Sequence, residues 1–254
     1  MIFLKTPEEI EIMRAANLIV AEILAEMQAV IAPGMTTADV DRLAEELTYK
    51  KGAQPAFKGY QLRGSPPFPA TVCISINDEV VHGIPSARRA VSEGDLVSID
   101  FGVVYEGFYG DAAVTVGVGE VGGVGRELMR VTEEALRIGI ERVRVGRRLG
   151  DVSAAIQKRV EGAGFSVVRD FVGHGVGRSL HEDPQVPNYG TCGHGLRLRE
   201  GLVLAIEPMV NAGRPEVLMK SDGWTAATRD GSLSAHFEHS VAVTADGPRV
   251  LSRL

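Results

Sequence analysis

Apolar residues recur at helical spacing in four stretches of the chain and in shorter alternating or continuous runs elsewhere. The first helix opens at Thr6-Pro7-Glu8-Glu9, where Thr6 can cap, Pro7 takes the first helical position and the acids face the positive end of the helix dipole. Ile10, Met13, Ala16, Val20, Ile23, Leu24 and Met27 then form one apolar stripe, broken by Pro33-Gly34. Thr36 and Thr37 open a second helix through Val40, Leu43 and Leu47, which Gly52 ends. Residues 53–70 are rich in Pro and Gly and read as loop. Thr71 to Ile76 reads as a strand, Asn77-Asp78 as a turn, and Val97–Tyr105 with Phe108–Val118 as a hairpin about Glu106-Gly107. Glu127–Arg144 and Leu149–Glu161 are helical in pattern. Phe165–Val172, Gly201–Val210, Trp224–Ala227 and His236–Thr244 are strand candidates, and a short strand closes the chain after Asp246-Gly247-Pro248.

A weak repeat underlies this order. Pro33-Gly34, Asp39-Val40 and Gly52 recur at a constant offset as Val145-Gly146, Asp151-Val152 and Gly164. Each half supplies two helices and then strands that carry acids, Asp100 in one and Glu207 in the other. The spacing is too long for a solenoid period. It predicts a duplicated α+β unit, with halves at approximately 1–120 and 121–254 facing each other across a pseudo-two-fold axis.

Composition narrows the function. A net charge of -6, with both signs scattered, argues against general nucleic-acid or anionic-membrane binding. Two cysteines, Cys73 and Cys192, are too few for a disulfide framework and are expected as reduced thiols in a cytoplasmic protein. No apolar run has the length of a membrane span, and the first residues lack the pattern of a signal peptide.

The chemistry concentrates in acids and imidazoles set in apolar or Gly-rich surroundings, where a bare charge is costly unless paired or metal-bound. Asp100 and Asp111 are expected near-opposite on the hairpin, on one face, where two carboxylates repel unless a cation lies between them. His174 stands in Gly-His-Gly, whose glycines are expected to let the backbone come close to whatever it binds; His181 follows seven residues later. Glu207 lies in the apolar run Leu202–Met209, and Glu238 lies between Phe237 and His239. Two Asp, two Glu and one or two His make an oxygen-rich set without thiolate, suited to Mn, Fe or Co, with Zn also compatible. Four carboxylates exceed the needs of one ion, so two divalent ions are expected.

These motifs, above all Phe171-Val-Gly-His-Gly-Val-Gly through His181 to Val186-Pro-Asn-Tyr189, resemble the type I methionine aminopeptidases of the pita-bread metallopeptidase family over nearly the whole chain. The resemblance implies a pita-bread fold, a central antiparallel sheet backed by helices, with residues 1–254 as a single catalytic domain. It implies a hydrolase that removes the N-terminal initiator methionine from nascent polypeptides when the second residue is small. Asp100, Asp111, His174, Glu207 and Glu238 would be the metal ligands, with Asp111 and Glu238 bridging. A metal-bridging hydroxide would attack the first peptide carbonyl, with Glu207 taking the water's proton. His82 and His181 would contact the substrate around the scissile bond. Tyr60, Phe68, Cys73, Leu180 and Trp224 would wall the methionine pocket. The partner is then a nascent-peptide N-terminus, with ribosome association an open expectation, no membrane and no specific nucleic acid; the enzyme is expected as a cytoplasmic monomer. With Ile2 as second residue, the chain is expected to keep its own Met1.

Three features depart from the family pattern: Leu180 where an aromatic residue is common, a small insertion at 61–67, and His236 where Gln is common. None removes a ligand. No zinc-binding N-terminal extension and no long insertion between His181 and Glu207 is present, which resembles the short bacterial form. Two rival readings are a proline-specific aminopeptidase on the same fold and a non-catalytic binding protein that has kept its ligands; turnover of a Met-Ala-Ser peptide against an Xaa-Pro peptide separates the first, and metal content with any turnover at all separates the second.

Overall fold

The computed structural model of the protein describes residues 2–61 and 64–254. Met1, on which the retained-methionine expectation bears, and residues 62 and 63 of the 61–67 segment lie outside them. Helix α1 spans Pro7–Val30 and begins with a complete capping box between Thr6 and Glu9. Helix α2 spans Thr37–Lys50, boxed by Thr36 and Asp39. Helices α3 and α4 span Gly123–Ile140 and Leu149–Glu161. The strands are β1 Gln54–Pro55, β2 Val72–Ile76, β3 Glu79–Val81, β4 Leu96–Tyr105, β5 Phe108–Gly117, β6 Ser166–Val167, β7 Gly173–Gly175, β8 Glu182–Val186, β9 Val203–Ile206, β10 Met209–Asn211, β11 Val217–Met219, β12 Ala226–Thr228, β13 Ser234–His236, β14 Glu238–Thr244 and β15 Gly247–Val250.

The central sheet runs β1-β4-β5-β14-β9-β7-β8, with β2 added on β4 and β15 on β14. Its pairings are antiparallel. The β4–β5 hairpin of one half meets the β14–β9 pair of the other where Glu238 pairs with Ala113. That seam joins the N-terminal and C-terminal parts of the sheet. The repeat extends to details: Asp39 and Asp151 each accept the backbone N–H of the residue preceding their helix, Thr36 and Arg148. The same two residues form isolated bridges, Thr36 to Ala90 and Arg148 to Arg197. Helices α1 and α2 cover one half of the sheet around Val20, Ile23, Ile74, Ile99 and Phe101; α3 and α4 cover the other around Leu128, Val131, Ile156, Leu204 and Val241. The expected α+β pita-bread architecture is present.

Several elements differ from the pattern reading. Helix α3 starts and ends four residues earlier than Glu127–Arg144, because Gly125 and Leu128 are already packed in the core and tight turns at Arg142 and Val143 stop it. Of Phe165–Val172 only Ser166–Val167 is strand. Gly201–Val210 breaks at Glu207-Pro208, and His236–Thr244 breaks at Phe237, next to its start. Pro208 has no N–H for a ladder. Both chains therefore turn together, with β9 paired to β14 in the main sheet and β10 to β13 beyond the corner. β8 and β11 fall in Pro-containing or half-exposed stretches with no apolar alternation.

Candidate active site

Five neighbouring strands of the sheet bring the acids and His174 to one place. Gly102 pairs with Asp111 and Asp100 with Ala113, so the two Asp are diagonal neighbours on one face of the hairpin. Glu238 opens β14, His174 is the middle residue of β7, and Glu207 stands at the corner after β9. Ligand atoms of Asp111, His174 and Glu238 all lie within 4.8 Å of one another. His174 Nε2 is 3.5 Å from Glu207 Oε1 and 3.8 Å from Asp111 Oδ2.

The glycines around His174 serve a different contact from the one expected. A Cβ on Gly173 would lie 2.4 Å from the carbonyl oxygen of Ala205, and one on Gly175 2.3 Å from that of Asp183. They admit the neighbouring strands, not a ligand. His174 Nδ1 donates to the carbonyl of Gly175 at 2.9 Å, which leaves Nε2 with its lone pair toward the acids. Burial lowers its pKa to about 3, so the ring is a neutral donor.

The electrostatics demand a cation. Burial, with the neighbouring Glu207, pushes Asp100 up to about 7. Burial pushes Glu207 up to about 8. Burial, then the charges of Asp100 and Glu207, raises Asp111 well above the usual carboxylate range, and burial, then Asp111, Glu207 and Asp100, does the same to Glu238. Asp100 Oδ1, Asp111 Oδ1 and Glu238 Oε1 are buried with no hydrogen-bond partner among the described residues. No Lys or Arg is among the described residues lining the cavity around them. Four carboxylates, three of them with an orphaned oxygen, one imidazole and no thiolate fit divalent ions.

This cluster forms one wall of a cavity of about 700 Å³. The opposite side is apolar. Phe68, Cys73, Leu180 and Trp224 are buried there in one cluster with Tyr60 against it. Phe68 and Trp224 meet edge to face at 5.2 Å, and Trp224 Nε1 donates to the carbonyl of Pro66 at 2.9 Å, tying down the described part of the 61–67 segment. Leu180 takes its place in this cluster. His181 lies 4.3 Å from His174, ring to ring, and its Nδ1 lies 2.6 Å from the Tyr60 hydroxyl. His82, held at φ 60 just past β3, stacks edge to face on Phe171 and Trp224. Burial, then His236 and His181, lowers the His82 pKa to about 4.

Pattern reading missed the supports. Asn17 is fully buried on α1; its Oδ1 accepts the backbone N–H of Asp111 at 3.2 Å. Ser240 donates to the carbonyl of Asp111 at 2.9 Å. Asn188 donates to the carbonyl of Glu207 at 2.9 Å. The available signal for Asn17 is a lone amide within the apolar stripe, between Met13 and Val20.

Comparison with known proteins agrees with this geometry. The model of metallopeptidase family M24 matches residues 11–245. The methionine aminopeptidase of Clostridium acetobutylicum is 50% identical, over 99% of both chains. Methionine aminopeptidase 1 of Bacillus subtilis is 48% identical over 100% of both. The crystal structure of the methionine aminopeptidase of Thermotoga maritima superposes with a TM-score of 0.97 at 53% identity, covering 100% of each chain. With its acids and imidazole gathered on one sheet and its likeness running from end to end, the chain belongs to metallopeptidase family M24 and, within it, to the methionine aminopeptidases.

Proposed function

We propose that the chain is a metal-dependent methionyl aminopeptidase acting on nascent polypeptides whose second residue is small. The observation that carries this reading is the juxtaposition, in one cavity, of four raised-pKa carboxylates with His174 and an aromatic-lined apolar slot. An unbranched, polarisable thioether suits such a slot.

Asp100, Asp111, His174, Glu207 and Glu238 would hold two divalent ions, with Asp111 and Glu238, on the two strands that meet at the seam, shared between them. Bound there, the ions supply Lewis acidity, making a water more acidic and a peptide carbonyl more electrophilic. The chain's own groups do the rest. Glu207 accepts the proton of the attacking water. The Tyr60 hydroxyl donates to His181 Nδ1, which puts the imidazole proton on Nε2, and that N–H stabilises charge developing on the carbonyl oxygen. His82, held against Phe171 and Trp224, assists at the scissile nitrogen. Phe68, Cys73, Leu180 and Trp224, with Tyr60, enclose the methionine side chain. The free α-amine is drawn to the acidic wall, which confines cleavage to the first bond.

Residues 1–254 act as one catalytic unit whose site lies at the seam of its halves; one chain supplies every group, consistent with a monomer. Among the described residues no helix is long and apolar enough to cross a membrane. A nascent-peptide substrate is met in the cytoplasm at the ribosome, and we assign the enzyme there on that ground alone. The ion is one of Co, Mn, Fe or Zn, which the donor set suits.

The test is methionine release from Met-Ala-Ser, Met-Leu-Ser and Xaa-Pro peptides by metal-stripped protein, with each ion added back. Metal-dependent cleavage of Met-Ala-Ser alone supports the reading. Cleavage of the Xaa-Pro peptide instead, or none with any ion in folded protein, overturns it.

A further inference from the structure

His236 carries an imidazole that the proposed chemistry does not use. It is 1% exposed, and neither ring nitrogen has a hydrogen-bond partner among the described residues. An imidazole always carries at least one N–H, and a buried N–H without an acceptor costs the full desolvation of that group. The ring is not there by drift. The backbone N–H of His236 donates to Thr115 Oγ1 at 2.8 Å, and the same hydroxyl donates back to the His236 carbonyl at 2.8 Å. His236 is thereby fixed to the hairpin that bears Asp100 and Asp111.

Glu207 sits between two imidazoles. Its Oε1 faces His174 Nε2 at 3.5 Å, and its Oε2 faces His236 Nε2, also at 3.5 Å. The His174 side is the side of the acid cluster, since the same nitrogen lies 3.8 Å from Asp111. Oε2 is therefore the oxygen that faces His236, and a carboxylate that gives one oxygen to an ion needs a donor for the other. His236 is positioned to be that donor, and Glu207 is the acceptor that a buried N–H requires.

We propose that His236 is a positioning residue for Glu207: its Nε2–H donates to Oε2 and holds Oε1 toward the ions. The inference rests on the reading of the acid cluster as a divalent-ion site. It assigns the Nε2–H tautomer to His236 and predicts that the 3.5 Å gap closes to ordinary hydrogen-bond length once the site is loaded.

The experiment pairs two measurements. Nitrogen-15 spectra of the histidine rings in zinc-loaded wild-type protein should show His236 as the Nε2–H tautomer, with neither nitrogen bearing a coordination shift and His174 bearing one. Calorimetric titration with zinc and with manganese should show affinity falling about 10–100-fold in His236→Leu and staying within about threefold of wild type in His236→Gln, whose amide can still donate. A coordinated His236 nitrogen, or a Leu variant that binds both ions as tightly as wild type, overturns the proposal. The spectra need no variant, so they decide the matter even where His236→Leu does not fold. Wild-type protein that binds no divalent ion would instead bring down the reading of the site itself, and this inference with it.

Discussion

Asn17 Oδ1 accepts the backbone N–H of Asp111 at 3.2 Å, across 94 residues of chain. The contact is made possible by Gly110, where a Cβ would lie 2.7 Å from the backbone of Ala16. Helix α1 is thus pressed against β5 at the residue before an acid of the cluster. Asn17→Leu should leave that N–H buried and unpaired, costing about 1–3 kcal/mol in denaturant unfolding. It should also weaken metal binding about tenfold in calorimetry, because Asp111 loses one of its two backbone anchors. Unchanged affinity would show that Ser240 alone suffices.

The metal-free protein should lose stability as pH rises above neutrality. Asp100 and Glu207 have folded-state pKa values of about 7 and 8, above their ordinary values, as burial disfavours the charged forms. Below about pH 6.5 the buried neutral imidazoles of His174 and His82, whose pKa values are lowered to about 3 and about 4, act in the opposite sense. Above about pH 7 the unfolded imidazoles are neutral and only the carboxyls count: the folded state still holds protons that the unfolded state has released, so stability declines as pH rises through about 7 to 8. Divalent ions replace those protons. Melting temperatures in chelator should fall between about pH 7 and 8.5, and the gain on adding an ion should grow over the same range. A chelated protein that melts higher at pH 8.5 than at pH 7 would contradict the assignment.

Removing one acid should separate stability from chemistry. In Glu238→Gln the carboxyl that must take up a proton to be buried beside Asp111, Glu207 and Asp100 is gone. That cost of folding is removed, so the metal-free variant should melt above the metal-free wild type, while methionine release falls by orders of magnitude with loss of a proposed metal ligand. Differential scanning calorimetry in chelator and a peptide assay read the two effects.

His82 and His181 flank the acid cluster without a place in it. His82→Ala and His181→Ala should each lower kcat about 10²-fold and leave metal content intact. Elemental analysis of the purified variants provides the check, and loss of metal in either would refute the outer position of that ring.

Lys5 is buried against Glu182, with side chains 5% and 7% exposed. Glu182 also accepts the backbone N–H of Arg178 and so fixes the loop that carries Leu180 and His181. Lys5→Met leaves a buried carboxylate unpaired, at a cost of about 3–5 kcal/mol in denaturant unfolding, and Lys5→Met with Glu182→Gln should recover most of it. Equal losses in the single and double variants would mean that Lys5 acts by packing alone.

The site was legible where chemistry conflicts with its local setting. Asp100 and Glu207 stand out as acids in apolar strands, and His174 as an imidazole between glycines. The hairpin register follows from the turn at Glu106-Gly107, where Glu106 takes φ 49 and Gly107 φ 78, so the diagonal placement of Asp100 and Asp111 could be anticipated. Asn17, Asn188 and Ser240 were not legible, because each acts on the backbone of a residue distant in sequence and its own neighbours say nothing about that partner. The broken strands were read as continuous for a related reason. Pro208 marks one break, but Phe237 breaks only because its strand follows the other round the corner.

By itself the sequence determined the existence of four helices, the caps of the first two, the hairpin and the duplicated order of elements, since helical period, capping and turn chemistry act over a few residues. It also determined that several buried acids needed a shared cation. Tertiary structure alone decided that the two halves meet with Glu238 opposite Ala113, that Glu207 is held between two imidazoles, and that the glycines beside His174 admit strands. Those relationships depend on close packing between segments separated by scores of residues, and no local pattern encodes the distance between them.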